Sequence, residues 1–425
     1  MHTDSPSPDR PNSRLAGDLA FAAAAAVACY AASCLFVAPG ASAVTFGLQW
    51  QEMSKAPLEL PGQFPHRILA PVLAHCVGMG GDHFVLFTRG LAVLLLGTVC
   101  FFGRRRGASA LDALLITLAV ALTAPIQMYK QHWVGFVDPL CYTLFFCSWL
   151  AARRPVLFWG LFLANLFTHE LAAFLLPWLW HLRRQVNGSS RADVLGAGLA
   201  LGIYGAFYLA VKALAPAQKY NADYFFSNPM FPGGTFVIVT LAITHLVVAF
   251  GPILAVLAWQ QHTRNQDPGR RQLWLVLAGI AAIFCIAWDW ARHSNLIVLP
   301  LVGASLSFLA AGHRAVYVGL VAAGAALMVW VPPWSSGWPI SSMASAVVLG
   351  DTKAAVLNPA TREPMGGALR DVLTAWVPAV APLLSGILVL LAAIWVLGFV
   401  LARRLPPRSP NRAPGSASAL VENVD

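Results

Sequence analysis

The residues best able to do chemistry in this chain stand at the ends of long apolar runs. They are Arg89, Lys130, His132, Asp138, His169, Glu170, Asp289, Arg292 and His293, with His66 and Arg67 opening a further amphipathic stretch. A charge at membrane depth is costly, so each such side chain needs a task or a partner. Groups of both signs gathered at one membrane face bind a substrate or an ion, or relay protons. Several admit plainer accounts. Asp138-Pro139 suits a helix start, with Asp at an N-cap and Pro in the first turn. Asp289 and Arg292 lie three apart, the spacing of an ion pair on one helix surface. Arg89 is placed to snorkel to the interface, His66-Arg67 to meet lipid headgroups, and the mid-span His245 to bond a neighbouring helix. Glu170 resists these accounts, because apolar runs flank it on both sides and no Lys or Arg is near in sequence.

The elements that carry these residues follow from composition. Of 425 residues 58% are hydrophobic and only 11% charged, against about 25% charged in soluble proteins. Runs such as Leu19–Val37, Val194–Val211, Thr235–Trp259 and Val377–Leu401 match the roughly 20 apolar residues that span a bilayer as helix. They exclude barrel strands, which alternate over about 10 residues. The expectation is an all-α, polytopic transmembrane helical bundle of about twelve segments.

The formal charge of +10 sits at segment ends, in Arg104-Arg105-Arg106, Arg153-Arg154, Arg183-Arg184, Arg270-Arg271 and Arg403-Arg404. That pattern marks cytoplasmic ends and not a nucleic-acid face, which is a soluble basic stripe with interleaved aromatics. It puts the N- and C-termini in the cytoplasm of an inner (plasma) membrane protein. Residues 1–14 and 404–425 read as disordered tails, 15–403 as the transmembrane domain, and 38–82 as a first external loop with a surface helix around Ile68–Val77. The first apolar run is too long for a signal peptide, so it is expected to stay as a span. The third span covers Leu114–Met128. The fifth and sixth, Val156–Thr168 and Leu171–His181, hinge at His169-Glu170, and one long tilted span over 156–181 remains the alternative. The seven cysteines show no zinc or disulfide spacing and read as small buried hydrophobes.

Three short stretches carry a resemblance. Phe64-Pro65-His66-Arg67-Ile68-Leu69-Ala70-Pro71-Val72-Leu73-Ala74 looks like the Tyr-Arg-x-Leu-x-Pro-x-Leu-Ala stretch that follows the first external loop of uncharacterised bacterial membrane proteins. Asp138-Pro139-Leu140 and Thr168-His169-Glu170 resemble two turns of the same proteins. Over residues 15–185 the layout resembles the GT-C superfamily of membrane glycosyltransferases. Such enzymes take a sugar from a polyprenyl-phosphate carrier on the external face, which makes that lipid-linked donor and the bilayer the implied partners.

The resemblance implies a carboxylate to accept a hydroxyl proton and cations to stabilise the departing phosphate. Family members usually place an Asp in the first external loop. Here no Asp precedes Asp82 in that loop, so Glu52 or Glu59 would be the base. Arg67, Lys130 or Arg292 would hold phosphate, with His66, His132, His169 and Asp289 lining the site. Asp138 and Glu170 offer hard oxygen ligands that admit a divalent cation without requiring one. The loop is expected to fold back over the turns at Asp138, Glu170 and Asp289, with Lys130, Arg292 or a metal as partner of Glu170. A secondary transporter or lipid-linked-substrate flippase using the same cavity is the alternative, and a non-catalytic scaffold a third.

Overall fold

A computed structural model of the chain describes residues 11–44, 46–60, 64–131, 133–187, 191–214, 246–247, 250–263, 269–284, 290–330, 356–357, 364–365 and 369–405. His132, His245 and Asp289 lie outside them. The described chain is helical apart from a two-residue antiparallel ladder that pairs Val356 with Met365 and Leu357 with Pro364.

The first helix, α1, runs Pro11–Cys34, so residues 11–14, expected in the tail, belong to it. Proline at a helix start has no hydrogen bond to lose there, which suits Pro11 to the position. A stripe of small residues (Ala22, Ala25, Ala26 and Cys29) is buried along α1. It lets the helix lie close against α4, Phe84–Arg105. Elsewhere on the helix Leu19 and Val27 are exposed. Between them run α2 (Phe46–Met53) and α3 (Leu69–Cys76), the second where a surface helix was expected.

The third expected span is bent. It comprises α5, Ala110–Ala121, and α6, Ala124–Gln131, with 47° between them. Pro125 explains the break, since it has no N–H to donate and its ring collides with the carbonyl four residues back. That carbonyl, on Ala121, is met by Gln127 Nε2 at 2.5 Å.

Helix α7 (Asp138–Leu150) packs between α4 and α8 (Pro155–Thr168). At His169 the backbone turns extended, and a 3₁₀ turn, Glu170–Leu175, leads into α9, Leu176–Asn187. The hinge therefore lies at His169-Glu170, although the second helix begins later than Leu171. Next comes α10, Arg191–Leu214, whose outer face exposes Val194, Leu195, Leu199 and Leu209. Beyond it lie α11 (Leu254–His262), α12 (Gly269–Phe284), α13 (Trp290–Ser294), α14 (Val298–Ala310), α15 (Arg314–Trp330) and α16 (Leu369–Arg404).

Among the described residues four stretches are long and apolar enough to cross a bilayer: Leu15–Cys34, Gly81–Arg105, Arg191–Leu214 and Arg292–Ala310. The bent α5–α6 pair makes a fifth if it counts as one span. Faces as apolar as those of α1 and α10 would be a liability in water and are at ease in lipid.

The arginine-rich ends are tied by ion pairs. Arg104 meets Asp18 at 2.9 Å, Arg314 meets Asp112 at 2.7 Å, and Arg183 meets Asp193 at 2.7 Å. Trp159 Nε1 adds a hydrogen bond to Asp193 at 3.1 Å.

The segment after α1 is fastened to the α6–α7 turn by backbone. Gly40 N–H donates to Lys130 O at 2.7 Å, and Val44 N–H to Val134 O at 3.1 Å. Gly47 and Gly135 make this approach possible. A Cβ on Gly47 would lie 2.3 Å from Val134 O, and Gly135 holds φ at +88° with its Cα 3.0 Å from that same Cβ. Backbone cannot yield as a side chain does, so Gly47→Ala is expected to lower stability by about 1–3 kcal/mol. The check is the thermal midpoint of the purified protein beside Gly90→Ala, whose Cβ meets nothing within 4 Å. Equal midpoints would show that the segment is not held this way.

Candidate functional site

The site begins with the segment between α1 and α4, which folds over the ends of α7 and α8. Arg67 stands just before α3 and reaches Glu170, 103 residues away. Its Nε donates to Oε2 at 2.7 Å, and Nη2 donates to Oε1 in a second bond. His66 Nε2 lies 3.4 Å and His169 Nδ1 3.6 Å from Oε2. Phe64 supports the guanidinium with its ring face at 4.2 Å, a cation–π contact. Three cationic or potentially cationic groups thus surround one carboxylate.

Glu170 is the open end of this cluster. Its side chain keeps 30% of its exposure, against 8% for Arg67 and 5% for His169. Burial works to raise its pKa, but the Arg67 guanidinium, with His169 and His66, outweighs that and holds the carboxyl well below its usual range. Burial, reinforced by Arg67, pushes the pKa of His169 well down, so that ring is neutral near pH 7. His169 Nδ1 accepts the Leu171 N–H at 3.3 Å, which helps explain why the chain turns here.

A second pair lies deeper. Asp138 is the first residue of α7, but its carboxylate does not cap the helix. It takes two parallel bonds from Arg292 of α13, each 3.0 Å long, the strong two-point geometry of a guanidinium on a carboxylate. Both side chains are buried. Trp50, Trp133 and Phe136 surround the guanidinium, with ring centres 5.9, 5.7 and 4.9 Å from its carbon. Tyr142 donates to the Arg292 carbonyl at 3.0 Å and lies 3.0 Å from the Tyr129 hydroxyl.

The Asp138–Arg292 pair lines a cavity of about 20 Å³, together with Tyr142, His169 and His293, and His169 is its link to the Glu170 cluster. That volume admits a single water. Across it the His169 and His293 rings stand edge to face, 5.9 Å apart.

Several expected placements are corrected. Glu170 is partnered by Arg67 and His66, and neither Lys130 nor Arg292 serves it. Arg292 pairs with Asp138 of α7, while Asp289, its expected partner, lies outside the described residues. Lys130 turns towards α1 and bonds Ser33 Oγ at 2.9 Å. Glu52 pairs with Lys55 at 2.8 Å on the surface, and Glu59 is exposed in the 3₁₀ turn Pro57–Glu59, so neither acid lines the cavity.

Asp138 and Glu170 each face an arginine, not an open coordination site. Among the described residues no group of three His, Cys, Asp or Glu side chains is arranged to hold a metal ion. Arg89 Nη2 donates to the Gly40 carbonyl at 2.7 Å. The aromatic cage of Trp50, Trp133 and Phe136 had no sequence signal beyond its enrichment in aromatics. No family model, curated protein or solved structure matches this chain.

Proposed function

We propose that this chain is a multi-pass inner-membrane glycosyltransferase of the GT-C kind, built from about twelve segments, with both termini cytoplasmic. It takes a sugar from a polyprenyl-phosphate donor at the external face. The observation that carries this is the position of Glu170. It is a partly open carboxylate gripped by Arg67 and His66, beside a helix whose outer face is apolar. His66 packs on Tyr208 of α10 with ring centres 5.1 Å apart, so a lipid-linked substrate arriving along α10 meets this cluster first.

The chemistry follows from the charges. Transfer breaks the bond between the sugar's anomeric carbon and the carrier phosphate, and the acceptor oxygen bonds to that carbon. The acceptor's proton passes to a carboxylate, and negative charge grows on the leaving phosphate. Glu170 commits Nε and Nη2 of Arg67 and leaves the Nη1 edge for phosphate oxygens, which guanidinium suits. A carboxylate held so far below its usual range is a weak base, so Glu170 positions Arg67 and does not take the proton. The acids of the same segment not locked to arginine are Glu52, Glu59 and Asp82.

The test is transfer of labelled sugar from a polyprenyl-phosphate donor in vesicles holding the purified chain. Transfer above that of empty vesicles is the expected result. Uptake of solute without transfer would favour the transporter alternative, which the cavity lined by the compensated Asp138–Arg292 pair also suits. Orientation has its own check. In a cysteine-free background, a cysteine at position 55 should react with an impermeant reagent added outside, and one at position 105 only after permeabilisation. External labelling at position 105 would reverse the arrangement.

A further inference from the structure

We propose a second anion site, separate from Glu170, where Lys130, Arg89 and Tyr30 bind a phosphate group at the membrane interface. Four Lys or Arg side chains are classed as buried among the described residues: Arg67, Lys130, Arg183 and Arg292. Three face a carboxylate, from Glu170, Asp193 and Asp138. Lys130, 2% exposed, has none. Its Nζ donates to Ser33 Oγ at 2.9 Å and approaches Cys34 Sγ at 4.0 Å. Ser33 spends its own proton on the Tyr30 carbonyl at 2.7 Å. An ammonium has three donors, so neutral partners leave both its charge and donor capacity unmet.

A second cation stands beside it. Arg89 donates from Nη2 to Gly40 O at 2.7 Å, and Gly40 N–H donates to Lys130 O at 2.7 Å. One glycine therefore joins the two residues. The Nε of Arg89 and the hydroxyl of Tyr30 are buried with no hydrogen-bond partner. Lys130 lies 5.7 Å from the Tyr30 ring centre. Two cations and two orphaned donors, with no carboxylate in ion-pair range among the described residues, call for an oxyanion.

Location points to a phosphate. Lys130 ends α6, Tyr30 and Cys34 end α1, and Arg89 lies in the second turn of α4, so three apolar helices bring the group to one level. Leu35, 86% exposed, and Phe36 continue apolar from its rim. Phospholipid headgroups and soluble phosphates share the chemistry such a site recognises. This inference does not rest on the glycosyltransferase proposal, whose cluster uses other residues.

The experiment is native mass spectrometry of the full chain released from phosphatidylcholine nanodiscs doped with phosphatidylglycerol, with inorganic phosphate as a separate arm. The wild type should retain one phosphatidylglycerol. Lys130→Met and Arg89→Gln should each weaken retention by at least about tenfold, while Lys55→Gln, at an exposed lysine, should not. Displacement of the lipid by millimolar phosphate would assign the site to soluble anions, and failure to displace it would assign it to headgroups. Retention unchanged in both Lys130→Met and Arg89→Gln would overturn the proposal. So would a wild type that binds neither probe, a result independent of how the variants fold.

Discussion

Glu170→Gln is expected to reduce sugar transfer by at least about a hundredfold while leaving the amount of folded protein in the membrane nearly unchanged. The substitution keeps the shape of the side chain and one acceptor oxygen. It removes the charge that fixes Arg67 through two bonds. A guanidinium released from that geometry no longer meets the leaving phosphate in one orientation. Losing a single preorganised electrostatic contact costs about 10²–10³ in rate. Because Arg67 above all holds Glu170 ionised below its usual range, its contribution is complete above the unfolded carboxylate value. It is lost only as pH falls through the depressed one. Transfer by the wild type should therefore show no inflection from this group between about pH 6 and 9. Full activity in Glu170→Gln would remove Glu170 from the site. Loss of folded protein would make it a structural tie between the hinge and the 64–67 segment.

The buried pair should behave in the opposite way, through stability. Asp138→Leu takes from the buried Arg292 guanidinium the carboxylate that meets it in two parallel bonds. Removing one partner of such a pair costs about 3–5 kcal/mol, whereas replacing both with apolar residues is often neutral or better. Asp138→Leu alone should unfold readily in detergent. The double variant Asp138→Leu/Arg292→Met should recover most of the lost midpoint. A single variant that costs under about 1 kcal/mol would mean the pair is reached by water.

How much of this could be read from sequence depended on the range of each interaction. The helical class and the apolar spans followed from run length. The hinge at His169-Glu170 and the surface helix near residue 70 followed from local pattern. Charge excess at one set of ends was legible too, but pairing was not. Glu170 and Arg67 are separated by 103 residues and Asp138 and Arg292 by 154, and nothing in spacing connects residues so far apart. Lys130 was expected as a partner of Glu170, and its bond to Ser33, 97 residues away, was not legible for the same reason. It sits next to Tyr129, which belongs to the Arg292 cluster, yet a helix places adjacent side chains on different faces. The third span was expected as one element, and neither the bend at Pro125 nor the Gln127 bond that satisfies the freed carbonyl was anticipated.

The most direct measurement is photo-crosslinking with a diazirine-bearing polyprenyl phosphate, mapped by mass spectrometry on the full chain in bilayers. If the Glu170 cluster receives a lipid-linked donor along α10, label should fall on the 64–67 segment and around Tyr204–Tyr208. Unlabelled polyprenyl phosphate should compete it away, and Glu170→Gln should weaken it. Label that resists competition, or that lies only on other lipid-facing helices, would contradict the account.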